Sequence, residues 1–380
     1  MRLWVLTNGY GEDRAGAAVA RELLARRGDL RLIAATLVTT GAEFSRCDFP
    51  VEVVGTAPRS GGFPAASLRT AIGDLRAVPG YFAFLRHLRR SASKCDRFLA
   101  VGDVFLTGLS RLGFGKPGLH VALAKSVYGR RHSVLECALL KRWTRLVFTR
   151  DAATAAHLQA KGVRAVFVGN PLVDRPAADG RSHDHHVPEN GPGPLSTRVV
   201  LLPGSRNEAP ENLLKLLGVV LAVEEQAEWH CAWAPAVEMR RGMLAAVAAG
   251  WQASGNVLVR EGRAVRVVSE CFESLVDEAD LVVGLAGTAN EQAASSGKPV
   301  ITCVGCGPQT AAARMREQER LLGGAAEFVG GDAKAVAAAV THLIRHPEER
   351  NRRGALGVAR LGPPGGAGRI ADAVIQELSG

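Results

Sequence analysis

Short apolar runs alternate with longer amphipathic stretches along the whole chain. In the first half, Leu3–Thr7, Leu32–Leu37, Val51–Val54, Arg97–Val101, Leu119–Leu123, Leu146–Thr149 and Ala165–Val168 read as strands. Asp13–Arg27, Ser67–Arg90, Ser133–Arg142 and Ala152–Lys161 carry apolar residues at helical spacing. Pro171–Thr197 has no apolar periodicity and is rich in Pro, Gly, Asp and His, so it reads as a linker. The alternation then restarts. Strands are expected at Arg198–Leu202, Trp229–Trp233, Val257–Val259, Val265–Val267, Leu281–Gly284 and Pro299–Val304. Helices are expected at Glu208–Val223, Ala236–Ala248, Phe272–Ala279 and Thr288–Ser295, and over most of the remainder. Pro363-Pro364-Gly365-Gly366 breaks the chain before a last helix, Arg369–Leu378.

Strands alternating with helices predict α/β domains, each a parallel sheet covered on both faces. The expected fold is a pair of Rossmann-like domains facing a cleft, 1–170 and 198–362, joined by the linker 171–197, with residues 363–380 packing back on the first domain. In such sheets ligands bind beyond the C-terminal ends of the strands. The 380 residues, 47% hydrophobic and 22% charged, fit two globular domains. The apolar runs fall short of the ~18–20 residues needed to span a bilayer. Met1–Gly9 passes directly into a Gly-rich acidic turn, so it reads as a first strand, not a signal peptide. Seven cysteines, an odd number in a long chain, point to the reduced cytosol.

Charge adds an asymmetry. Residues 1–170 hold 26 Lys+Arg against 12 Asp+Glu, a net +14, whereas residues 171–380 hold 21 against 25, a net −4. A compositional preference for Arg explains the choice of basic residue but not its concentration in one half. The basic half suits a polyanionic partner: nucleic acid, anionic lipid or a phosphorylated substrate.

Four segments carry candidate chemistry. After the first strand comes Asn8-Gly9-Tyr10-Gly11-Glu12-Asp13, where two glycines let the backbone turn tightly before a helix. It is not a dinucleotide fingerprint, because Arg14 stands where the third glycine belongs. A sugar- or acceptor-binding loop and a plain turn with an acidic helix start remain open. After the fourth strand, Val101-Gly102-Asp103-Val104 places a carboxylate at a strand tip, either a proton acceptor or a helix N-cap. Glu12 and Asp103 are the candidate catalytic carboxylates. Leu201-Leu202-Pro203-Gly204-Ser205-Arg206 runs from a strand into a loop with a hydroxyl and a guanidinium fork suited to phosphate. Gly284-Leu285-Ala286-Gly287-Thr288 opens a helix whose first N–H groups suit a diphosphate, and Glu291 lies one turn in, within reach of a ribose diol. No metal is needed where a helix dipole and an arginine stabilise a leaving diphosphate.

With Phe148-Thr149-Arg150-Asp151 and Phe167-Val168-Gly169-Asn170-Pro171-Leu172, these motifs resemble the lipid-A-disaccharide synthases, inverting glycosyltransferases of the GT-B architecture. The resemblance is closer still to the branch called lipid-A-disaccharide-synthase-related proteins. It spans about residues 3–310, with the LLPGSR run and Ala286–Pro299 its most specific parts. It implies UDP-sugar binding by Gly204, Ser205, Arg206, Gly287, Thr288 and Glu291, with Asn290 and Gln292 on the same helix. It also implies a base near Asp103. Asn8, Gly9, Gly11 and Asn170 are further candidate substrate contacts, and no cofactor or metal is expected. The chain departs from that family in three places. Ala124–Gly129 replaces an aromatic stretch, Gly169-Asn170-Pro171 replaces Gly-His-Pro, and the first loop is acidic.

Ala77–Arg90 sets Tyr81, Phe82, Phe84, Leu85 and Leu88 beside Arg86, Arg89 and Arg90, which reads as a membrane-surface helix or a core helix with solvated arginines. Cys303-Val304-Gly305-Cys306 lacks a second pair to complete a zinc site. The expected activity is transfer of a sugar from a UDP-sugar donor to a lipid or lipid-linked acceptor. The expected place is cytoplasmic, at the anionic inner face of the cell membrane. A UDP-sugar epimerase-like enzyme and a non-catalytic nucleotide-binding protein are the alternatives. Nucleic acid is not expected, since no aromatic-basic stacking strip is present.

Overall fold

The computed structural model of the chain describes residues 1–9, 11–37, 41–45, 51–53, 78–174, 196–235, 237–269 and 272–379. The chain divides into two units, Met1–Asp174 with Pro364–Gly380, and Arg175–Pro363.

In the first unit seven parallel strands run β1 (Arg2–Thr7), β2 (Arg31–Thr36), β3 (Val51–Val53), β4 (Arg97–Gly102), β5 (Gly118–Ala122), β6 (Thr144–Thr149) and β7 (Ala165–Val166). Their spatial order is β3-β2-β1-β4-β5-β6-β7. Both faces of β1 are buried, which explains its unbroken apolar run. Leu3 and Val5 pack against the helices Gly11–Arg26 and Gly366–Ser379. Trp4 and Leu6 point the other way, toward Phe84 and Leu88 of Val78–Arg90 and Leu106 of Val104–Phe114. The last helix packs along Gly11–Arg26. Its N-terminus is capped by Asp174, whose carboxylate accepts from the amides of Gly365 (2.6 Å), Gly366 (2.9 Å) and Ala367. Pro171–Asp174, expected to open the linker, therefore belongs to the first unit, with Leu172 in its core. Residues 67–77 of the expected helix Ser67–Arg90, and 175–195 of the linker, lie outside the described residues.

The second unit is built on β8 (Thr197–Leu202), β9 (Ala227–Trp233), β10 (Gln252–Ser254), β11 (Val257–Arg260), β12 (Arg263–Ser269), β13 (Leu281–Gly284), β14 (Val300–Thr302) and β15 (Ala326–Phe328). The order is β10-β11-β12-β9-β8-β13-β14-β15, antiparallel at the two pairings of β11 and parallel elsewhere. Neither β10 nor β15 was expected. β10 is exposed along its length and carries no hydrophobic signal.

Helix Thr288–Ser295 is backed by helix Pro347–Leu361 at close range. The approach depends on two glycines: a methyl on Gly354 would meet the Gly297 carbonyl, and one on Gly357 the Ala294 carbonyl. Gly357→Ala is therefore expected to cost about 1–3 kcal/mol by overpacking. A urea titration would show it as a lower midpoint, and an unchanged midpoint would mean that the two helices separate freely.

Candidate functional site

Each sheet has the doubly wound order, in which strand direction of progression reverses once. In the first unit this switch point lies between β1 and β4, in the second between β8 and β13. Crevices for ligands form there, outside the carboxyl ends of the strands. All four candidate loops flank these two points.

At the β1/β4 switch, Asn8 follows β1 and Asp103 follows β4. Gly102, at φ 147°, lets Asn8 lie against the backbone: a Cβ there would stand 3.2 Å from the Asn8 Cβ. The Asn8 amide donates to the Asp103 carboxylate, and Asn8 Oδ1 is buried without a hydrogen-bond partner. Asp103 is also the N-cap of Val104–Phe114, its Oδ1 accepting from the Leu106 amide at 2.9 Å. The capping role weighed against catalysis is thus present in the structure. Burial raises the Asp103 pKa, against the Leu106 and Asn8 hydrogen bonds.

Glu12 sits in the first turn of Gly11–Arg26 and interacts with Asp103, Asp13 and Arg150. Burial, then the Asp103 and Asp13 charges, push its carboxyl up to about 7, while its own backbone amide and Arg150 oppose the rise. Asp13 accepts from the Thr7 hydroxyl and is buried, which makes it a strut between strand and helix. Arg150, from the motif after β6, donates to the Leu123 carbonyl at 2.9 Å. Asn170 does not join this group. It is fully buried, its Oδ1 accepting from the Leu172 amide at 3.1 Å, which closes a turn there.

The β8/β13 switch brings together Pro203–Glu208 and Leu285–Gly287. Gly204 (φ 99°) lets the loops approach: a Cβ there would stand 2.9 Å from the Leu285 carbonyl oxygen. Leu285 N–H in turn donates to Leu202 O at 2.7 Å. Ser205, Arg206 and Gly287 are exposed, Thr288 is half-buried and Glu291 lies at the edge of the interior. Asn290 and Gln292 are buried. The Asn290 amide donates to Gly284 O (3.2 Å) and Gln318 Oε1 (2.8 Å), which ties the start of the helix to the loop.

A third loop, after β14, was not anticipated as part of this place. Asn212 ties it in, donating to Pro203 O (3.0 Å) and accepting from Cys306 N–H (2.6 Å). Cys303 and Cys306 on that loop are free thiols, and burial raises the Cys303 pKa. Among the described residues no group of three or more His, Cys, Asp and Glu is placed to hold a metal ion.

The helix Val78–Arg90 is a core helix with solvated arginines. Phe84 and Leu88 enter the core, while Phe82, Arg86, Arg89 and Arg90 are exposed. Further exposed apolar side chains of the first unit include Phe105, Leu112, Val134 (74%) and Leu135 (69%), the last two separated by His132 and Ser133 from the exposed Arg130 and Arg131. Among the described residues no helix is long and apolar enough to cross a membrane.

No protein-family model and no curated protein sequence matches the chain. Solved structures do. CalG4, the calicheamicin glycosyltransferase, superposes with a TM-score of 0.65 at 16% identity, covering 100% of this chain and 98% of its own. MurG from Acinetobacter baumannii gives 0.60 at 14% identity, with 99% of both chains covered. The UDP-GlcNAc 2-epimerase from Neisseria meningitidis, solved with UDP-GlcNAc bound, gives 0.62 at 14% identity over 100% of both. At these identities the likeness establishes the fold. It is the pair of Rossmann-like domains of the GT-B type.

Proposed function

We propose that the protein is a glycosyltransferase that moves a sugar from a UDP-sugar to a lipid or lipid-linked acceptor, with inversion and without a metal. The observation that carries this reading is the meeting of two phosphate-type loops, Pro203–Glu208 and Leu285–Gly287, at the β8/β13 switch point. There Gly204, Ser205, Arg206 and the first amides of Thr288–Ser295 hold the diphosphate, and Glu291 takes the ribose. As the bond from the anomeric carbon to the diphosphate breaks, Arg206 and the helix N-terminus stabilise the charge on the departing UDP. The acceptor binds the first unit by Asn8, Gly9 and Gly11. Glu12 takes the proton of its attacking hydroxyl, and Asp103 raises the basicity of Glu12 through its charge.

An epimerase is the second reading, favoured by the UDP-GlcNAc 2-epimerase likeness. Epimerisation must break a carbon–hydrogen bond of the sugar, whereas transfer leaves them all intact. Incubation with UDP-sugars in D2O separates the two: transfer predicts unlabelled sugar, and deuterium at a ring carbon would contradict it.

The lipid acceptor places the working surface at an anionic membrane, with Phe82, Val134 and Leu135 as apolar contacts and the nearby arginines as counter-charges. Each basic residue near such a surface contributes about 1 kcal/mol. Replacing Arg86, Arg89 and Arg90 together by Gln is expected to weaken vesicle binding by at least about tenfold at low salt, with UDP affinity unchanged. Co-sedimentation with anionic vesicles checks this; binding indifferent to both charge and salt would remove the membrane from the reading.

A further inference from the structure

We infer that Gln318 is a positioning residue for the diphosphate, and that it works by aiming backbone amides; this rests on the donor reading of the Leu285–Gly287 loop. Gln318 lies on the helix Ala312–Leu322, remote in sequence from that loop, and is 8% exposed. Its Nε2 donates to the carbonyls of Ala286 (3.2 Å) and Gly287 (2.9 Å). Its Oε1 accepts from the Asn290 amide at 2.8 Å, and that amide also donates to the Gly284 carbonyl at 3.2 Å. Two side-chain amides therefore hold three carbonyls of one loop, at positions 284, 286 and 287.

The consequence follows from peptide geometry. In a planar trans peptide the C=O and the next N–H point in opposite directions. Turning the Ala286 carbonyl toward Gln318 turns the Gly287 N–H away from it. Turning the Gly287 carbonyl the same way turns the Thr288 N–H away too. Gly287 is exposed, and a Cβ built on it would meet nothing within 4 Å. Thr288 opens an eight-residue helix, whose first amides have no intrahelical acceptor. Gln318 thus helps to fix a pair of adjacent N–H groups at a helix N-terminus, where the dipole favours an anion. The Gly287 carbonyl also accepts from the Asn290 backbone amide at 3.1 Å, so an aliphatic side chain of the same volume would release chiefly the Ala286 carbonyl, and with it the direction of the Gly287 N–H.

The loss is expected in donor binding. Gln318→Met removes both N–H donors at nearly constant volume. In the full chain it should weaken UDP by about tenfold and raise KM for the UDP-sugar similarly, with kcat and acceptor KM nearly unchanged. Gln318→Glu supplies a second readout. As a carboxylate it cannot donate, and its affinity for UDP relative to wild type should recover as falling pH restores an O–H donor. Unaltered UDP affinity and KM in both variants, whatever their melting temperatures, would overturn the positioning role while leaving the donor site standing. Should both variants fail to fold, hydrogen exchange on wild type decides. UDP must slow exchange at the Gly287 and Thr288 amides, and unprotected amides in a UDP-bound protein would overturn the inference. Wild-type protein that does not bind UDP at all would overturn the donor reading, and this inference with it.

Discussion

Glu12→Gln is expected to lower kcat by ~10²–10⁴ with little change in UDP affinity, because only the proton acceptor is lost. The pH profile gives the sharper signature. With the Glu12 carboxyl near 7, wild-type kcat/KM should rise with pH through about 7, as the basic form becomes populated. The Gln variant should lose that limb. Asp103→Asn is the paired control. Asn caps a helix about as well as Asp, so the fold survives. Removing the Asp103 charge removes one of the causes that raise Glu12, so the acidic limb should move to lower pH. A limb that stays near 7 in Glu12→Gln would assign it to another group. Stability should move the opposite way. Between the ordinary value of 4.5 and about 7 the folded protein holds a Glu12 proton that the unfolded chain has released, so stability falls as pH rises across that window. Glu12→Gln should therefore melt higher than wild type at pH 8. An active-site carboxylate that costs stability is the usual exchange of stability for activity.

Arg206→Ala is expected to weaken UDP by roughly 1.5–3 kcal/mol, about tenfold to a hundredfold, the size of a hydrogen bond to a charged group. Arg206 is exposed on a loop outside the core, so the folded state should persist and the loss should appear in binding alone. Isothermal calorimetry with UDP checks this. Unchanged affinity would remove Arg206 from the site and leave the Gly204 approach and the helix N-terminus to account for binding. Arg206→Lys should recover part of the loss, since a point charge replaces a bidentate fork.

The two sheets were legible because their central strands are buried on both faces and appear as continuous apolar runs, as in Leu3–Leu6 and Val199–Leu202. The loops at the switch points were legible too, since Gly9 (φ 125°) and Gly204 (φ 99°) turn the chain just after a strand in a conformation that favours glycine whatever lies around it. Strand order was not, because no local signal says that β4 lies beside β1 or β13 beside β8. Nor was the fate of buried polar residues. Asn170, Asn290 and Gln292 are buried by tertiary packing, which leaves no mark in their local sequence. Gln318 and Asn212 escaped notice because their partners are far along the chain, and a lone carboxamide on a helix has no motif to mark it. At Asp103 the two readings offered by the sequence meet in one side chain, which caps a helix and also charges the neighbourhood of Glu12.

The most direct measurement is UDP release from UDP-sugars by the purified full chain, with and without a membrane lipid extract, tracking the sugar label into the organic phase. Acceptor-dependent UDP release, matched by label in lipid and abolished in Glu12→Gln, is the predicted result. UDP release that ignores the lipid and leaves the label in free or epimerised sugar would contradict glycosyl transfer.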